Sequence, residues 1–245
     1  MRYELWRPRY EAIRADFGYP FEREESAAAT LERLLPPPAR SDPLGRLSAR
    51  LAGRDVIVVG LAPGAGPPPI WRLAPSSPPP AVVAADGAAQ TCLAASLVPS
   101  VVTTDLDGPV PAEVEANGRG TLVVVHAHGD NTAALEEWVP QFPGELAGSW
   151  AGPPRAGLLD VGGFTDGDRA AFLAEDVGAR RILLWGFDAT SIEEADPESR
   201  ERKRRKLAWA TTLLEELARE GRSPMLWWRR DGSLVQVGSA ARSTR

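Results

Sequence analysis

Eight side chains capable of acid, base or metal chemistry fall where short apolar runs end: Asp86, Asp105, Asp107, His126, His128, Asp130, Asp166 and Asp188. A single aspartate after a strand is ordinarily a helix cap. Capping needs one carboxylate per helix, however, and Thr104-Asp105-Leu106-Asp107-Gly108 supplies two. Carboxylates without cysteine partners suit a hard cation, and magnesium bridging phosphate oxygens is the usual case. Asp86, Asp105, Asp107 and Asp130 are therefore the expected Mg2+ ligands.

The chain has two histidines, both in His126-Ala127-His128-Gly129-Asp130-Asn131. Two apart in extended chain, they point to one side. The count argues against a zinc hydrolase, because zinc is normally held by several His or Cys ligands and this chain has only two histidines and one cysteine. The alternatives left are contact with phosphate, support of a metal ligand, or loop histidines satisfied by hydrogen bonds. Gly64 and Gly66 in GAGP form a glycine turn suited to backbone contacts with phosphate, but not the GxxxxGK[ST] loop. Lys203 and Lys206 are the only lysines among 28 basic residues. Spaced i, i+3, they either present two point charges to phosphate or sit solvated on a charged helix.

The elements that must place these residues follow an alternating pattern. Val56–Val59, Ala81–Ala84, Val101–Thr104, Thr121–Val125, Leu158–Val161 and Arg181–Trp185 read as short strands, most followed by helix-like stretches. Such alternation predicts α/β architecture: a mostly parallel, Rossmann-like sheet with flanking helices, its ligand crevice at the strands' C-terminal ends. Glu198–Gly221 reads as a long last helix, followed by a hairpin or edge strands at Met225–Trp228 and Leu234–Val237. Residues 1–52 show helical spacing at Glu25–Leu35 and Pro43–Leu51. The expected organisation is a helical N-terminal extension, 1–52, and an α/β catalytic domain, 53–245. Trp209, Leu213, Leu214 and Leu217 are read as the buried face of the last helix.

Charge narrows the partners. The net charge of −5 with scattered basic residues argues against nucleic acid. No apolar run is long enough for a membrane span, and a single cysteine, Cys92, fits a reducing compartment, so a cytoplasmic location is expected. The sequence leaves the oligomeric state open, a homodimer included.

Taken in order, VIVVG…GAGP, AADGAA, TTDLDG, HAHGDN, GGFTDGDRAAFLAE, ILLWGFD and the K-x-x-K-L of Lys203–Leu207 resemble the archaeal 6-hydroxymethyl-7,8-dihydropterin pyrophosphokinase family. The W…Y..I..DFG of the N-terminus fits too, so the resemblance runs from Trp6 to Leu217. The layout is also similar to that of thiamin pyrophosphokinases. The resemblance implies transfer of the β,γ-diphosphate of ATP to a pterin hydroxymethyl oxygen, with AMP released, in folate or methanopterin synthesis. It further implies small-molecule partners (ATP and a reduced hydroxymethylpterin) and binding roles for Gly64, Gly66, Asp86, Gly87, Asn131, Thr165 and Asp166. His126, His128, Asp130, Lys203 and Lys206 become the expected catalytic set, and Asp166 the carboxylate that reads the pterin. One departure stands out: the family reads GxGPSL where this chain has GAGPPPI, which leaves no serine hydroxyl there for phosphate. Rivals on the same residues are a thiamin-type acceptor, a binding protein without turnover, and a zinc phosphoesterase.

Overall fold

β-branched runs buried on both sides set the architecture. In the computed structural model, which describes residues 3–73 and 76–238, nine strands form one sheet: β1 Asp55–Val59, β2 Ala81–Ala85, β3 Val101–Thr104, β4 Leu122–Ala127, β5 Leu146–Trp150, β6 Leu158–Asp160, β7 Arg181–Trp185, β8 Met225–Trp228 and β9 Leu234–Gln236. Their order is β6-β5-β4-β3-β2-β1-β7-β8-β9. All pairs are parallel except β8 with β9, which close as an antiparallel hairpin. Every residue of β1 to β5 is buried, as a parallel sheet covered on both faces requires.

Among the described residues nine helices provide the cover: α1 Tyr3–Phe17, α2 Phe21–Leu34, α3 Pro37–Arg40, α4 Pro43–Leu51, α5 Ala88–Ala94, α6 Val110–Gly118, α7 Thr132–Trp138, α8 Asp166–Asp176 and α9 Pro197–Glu220. Helices α1, α4, α8 and α9 share one core with Val56 and Val58 of β1. Helices α2, α3, α5, α6 and α7 share the other with Ile57 and Val59. The alternation of side chains along β1 thus feeds two cores. Residues 3–51 contribute to both, so these helices pack as part of the sheet's own cover. The expected boundaries reach residues 1, 2, 74, 75 and 239–245, which lie outside the described residues.

Two elements differ from the pattern read in the sequence. Strand β5, LAGSW, lacks a β-branched run, and Gly148 at its centre hides the period. A Cβ there would meet Leu158 and Leu35 at 2.5 Å, so glycine is needed for close packing. Among its described residues the β1–β2 crossover carries no α-helix. Its proline-rich chain makes only a 3-10 turn, Ile70–Arg72.

Strand order reverses between β1 and β7, which is where an open α/β sheet opens a crevice. Gly60 and Gly186 face each other there. A Cβ on Gly60 would lie 2.7 Å from the Gly186 carbonyl, and one on Gly186 would lie 2.5 Å from that of Gly60. Any side chain at either position would push the two loops apart.

Candidate active site

The loops after β2 and β3 bring three carboxylates together. One ligand oxygen from each of Asp86, Asp105 and Asp107 lies within 4.8 Å of the others. None of the three caps the helix that follows: α5 and α6 both begin without a side-chain cap. Capping therefore does not explain them. Asp86 holds a left-handed backbone, φ 46°, and Leu106 another, φ 68°, conformations that non-glycine residues keep only when their surroundings hold them. The Asp86 carboxylate is tucked against Gly108, where a Cβ would sit 2.2 Å from Oδ2. The Thr104 hydroxyl donates to its Oδ1 at 3.3 Å.

The charges in this cluster are incompletely neutralised. Asp105 has a partner: His128 Nε2 lies 3.3 Å from its Oδ2. Burial opposes ionisation of Asp105, but His128 and Arg169 outweigh it and hold the carboxyl well below the usual range. Burial, then the charges of Asp105 and Asp86, push Asp107 up to about 6. Behind Asp86, Glu113 of α6 is fully buried with no hydrogen donor to either oxygen. Burial and the facing Asp86 carboxylate push it up to about 9. Carboxylates this close are stable only with a proton or cation between them. An all-oxygen set without cysteine suits magnesium, so the residues fit such an ion.

Two cavities lie near the cluster: Asp105 lines the smaller, and Ala85, which precedes Asp86, lines the larger together with Asp166. The larger, 780 Å³, opens at the β1/β7 reversal and is lined by the 60–65 loop, Thr165, Asp166, the 186–189 loop, Lys203 and Trp227–Arg230. Its aromatic walls include Phe187 and Trp227, with ring centroids 6.1 Å apart. The smaller, 70 Å³, lies under α1 and is bounded by Tyr10, Glu24, Asp105, His126, His128, Phe164, Arg169 and Lys206, among others.

Comparison with known proteins places this arrangement. Residues 40–194 match the family described as 6-hydroxymethylpterin diphosphokinase MptE-like. A curated 6-hydroxymethyl-7,8-dihydropterin pyrophosphokinase of Methanothermobacter thermautotrophicus is 35% identical over 90% of this chain and 97% of its own. Proteins of the same name from Pyrococcus furiosus and Methanocaldococcus jannaschii are 37% and 31% identical, over 92% and 86% of this chain and 98% and 94% of theirs. The chain belongs to the MptE-like family.

In this MptE-like chain the residues singled out from sequence separate into groups. Asp86, Asp105 and Asp107 converge. Asp130 does not join them: its carboxylate is half exposed and lies 3.9 Å from Arg202 of α9. Asn131 is used internally. Its Nδ2 donates to the carbonyls of Asp105 and His126, both at 2.8 Å, and its Oδ1 accepts from the His128 N–H. With its amide spent on three backbone groups it is a strut between two loops, not a ligand contact. Thr165 is the N-cap of α8 in a capping box with Asp168, which accounts for its type at that position. Asp166 faces the larger cavity but its Oδ1 is paired with Arg169 at 2.9 Å.

The histidines divide as well. His126 is buried against Ser149, Nδ1 to Oγ 3.0 Å, and burial holds its ring neutral. At His128 the Asp130 N–H donates to Nδ1, so Nε2 carries the hydrogen given to Asp105. Lys203 lines the larger cavity while paired with Glu194 at 2.8 Å, and Lys206 lines the smaller. Gly64 and Gly66 have φ near 69° and 64° and shape the loop without lining the cavity. Gly87 packs under Leu61, where a Cβ would sit 2.7 Å from Cδ1. Asp188 accepts from the Thr190 N–H and hydroxyl in a local turn.

Sequence reasoning missed Arg169, Glu113, Glu24, Tyr10 and Arg230. Arg169 follows Asp166 by three, the helical pairing distance, and that spacing could have found it. The others arrive from distant segments. Arg230, on the β8–β9 turn, donates to the Pro63 carbonyl beside Gly64, and no local pattern announces such a contact.

Proposed function

We propose that the chain is a 6-hydroxymethyl-7,8-dihydropterin diphosphokinase that uses ATP and releases AMP. The observation that carries this reading is the cluster of three carboxylates, of which Asp105 lines the smaller recess and Asp86 directly follows Ala85, a residue lining the larger crevice. A donor in one and an acceptor in the other would meet across the cluster, as an in-line displacement requires. The volume of 780 Å³ falls in the roughly 300–1,000 Å³ range of small-molecule sites, and of the two cavities it is the one with room for a nucleotide. The names carried by the archaeal relatives support the acceptor.

In this reading Asp86, Asp105 and Asp107 would hold magnesium, which when bound there would neutralise the triphosphate. Glu113 stands behind Asp86, and His128 orients Asp105. The pterin hydroxymethyl oxygen attacks Pβ, the bond from Pβ to the oxygen bridging Pα breaks, and AMP departs with that oxygen. His126 stays unprotonated beside the recess and is placed to accept the hydrogen of the attacking hydroxyl, whose proton passes on to solvent. Lys203 and Lys206, one helical turn apart on α9, reach the two sides and would follow the phosphates during transfer. Most of the acceleration comes from this positioning and charge.

The test is AMP release from ATP and magnesium on addition of the reduced hydroxymethylpterin, with thiamin as control acceptor. AMP formed only with the pterin is the expected result. AMP formed with thiamin alone, or with neither, contradicts the reading.

A further inference from the structure

The recess under α1 contains polar groups that the protein leaves without partners. Tyr10, only 5% exposed, has a hydroxyl with no hydrogen-bond partner, and the buried Arg169 has an unpartnered Nε. Both line the recess. Buried donors are normally satisfied, and leaving one unmade is costly. Glu24 lines the same space: 6% exposed, it accepts from the Gly129 N–H through Oε1 at 3.1 Å. Phe164 supplies an apolar wall.

We propose that this recess is the acceptor-ring site and that Glu24 and Tyr10 determine its specificity for a 2-amino-4-oxo heterocycle. This rests on the diphosphokinase reading above. A carboxylate accepts from the ring's amino group and adjacent ring N–H together, while an orphan phenol and guanidinium can donate to ring nitrogen or carbonyl. Asp166 is less suited, because Arg169 already occupies one of its oxygens. The hydroxymethyl carbon lies at the opposite end of the bicycle from the amino edge. Anchoring that edge leaves the hydroxyl for the side of the recess formed by Asp105 and Lys206.

At 70 Å³ the recess is tighter than a bicyclic ring needs. Its exposed rim is Asp130 and Arg202, each 54% exposed in the side chain and 3.9 Å apart. The pair itself is weak, while Arg202 also donates to the Tyr19 hydroxyl at 3.0 Å, so a ring entering past this rim has to turn both side chains and break that bond. Asp130 thereby acquires a role at the entrance rather than on the cation.

The experiment is equilibrium binding of the reduced hydroxymethylpterin, followed by its fluorescence, with magnesium and a non-hydrolysable ATP analogue present. Tyr10→Phe should weaken pterin binding roughly 5- to 10-fold while the melting temperature of the free protein stays level or rises, because the variant removes an unsatisfied hydroxyl. Glu24→Gln should weaken it roughly 10- to 100-fold with nucleotide affinity unchanged. Wild type should also reject the 2-desamino analogue, and Glu24→Gln should lose that discrimination. A purely structural Glu24 would leave the discrimination intact. Unchanged pterin affinity in both variants, or loss only in Asp166→Asn, overturns the proposal. Failure of the diphosphokinase reading looks different, since wild type itself would then neither bind the pterin nor release AMP.

Discussion

Asp107 sits beside two other carboxylates, and burial together with their repulsion raises its titration. Its folded value of about 6 lies above the ordinary 3.8, so the folded protein binds this proton more tightly than the unfolded chain. Stability from this group is full below about pH 4 and is lost as pH rises through 6. Asp107 is the exposed member of the cluster, so solvent screens the effect and the slope should be shallow. Denaturant titrations of metal-free protein between pH 4 and 7 should show this component in wild type and not in Asp107→Asn. Added magnesium should stabilise increasingly over the same interval, because cation and proton compete. Asp105→Asn should lower turnover by roughly 100-fold or more with the fold intact; turnover within a few-fold of wild type would remove Asp105 from the machinery. The paired aspartates were legible in sequence because two carboxylates exceed what a cap requires. The displacement of Asp130 was not, since the ion pair that turns it outward comes from Arg202, 72 positions along the chain.

Between elements, the loops after β3 and β4 are tied by one side chain. Asn131 bonds three backbone groups across them, and Asn131→Ala would leave buried carbonyls and an N–H unpaired. The expected cost is about 1–3 kcal/mol in stability, with weaker cation binding, since Asp105 hangs from the same strut. Denaturation midpoints and magnesium calorimetry on the variant would check both effects. A second expectation concerns β5: Gly148→Val should destabilise by roughly 1–3 kcal/mol through overpacking against Leu158 and Leu35. Strands β1, β3 and β7 were readable from β-branched and leucine runs, and α9 from its glycine stop. β5 escaped because its packing depends on absent side-chain volume, which carries no periodic signal.

At the scale of the whole molecule, the order of the strands decides where chemistry can occur. The reversal between β1 and β7 opens the larger cavity, and Ala85 at the end of β2 lines it. The N-terminal helices then roof the second recess. The sequence made the sheet and its acidic rim visible. The division into two cavities was hidden, because it depends on α1, α2 and α9 meeting from opposite ends of the chain. No described helix is long and apolar enough to cross a membrane. The account turns on one position in this architecture, and crystals grown with manganese and a non-hydrolysable ATP analogue would examine it directly. An anomalous peak bridging phosphate oxygens to Asp86, Asp105 and Asp107 is predicted. A nucleotide bound with its cation held elsewhere, or with no cation at those carboxylates, would contradict it.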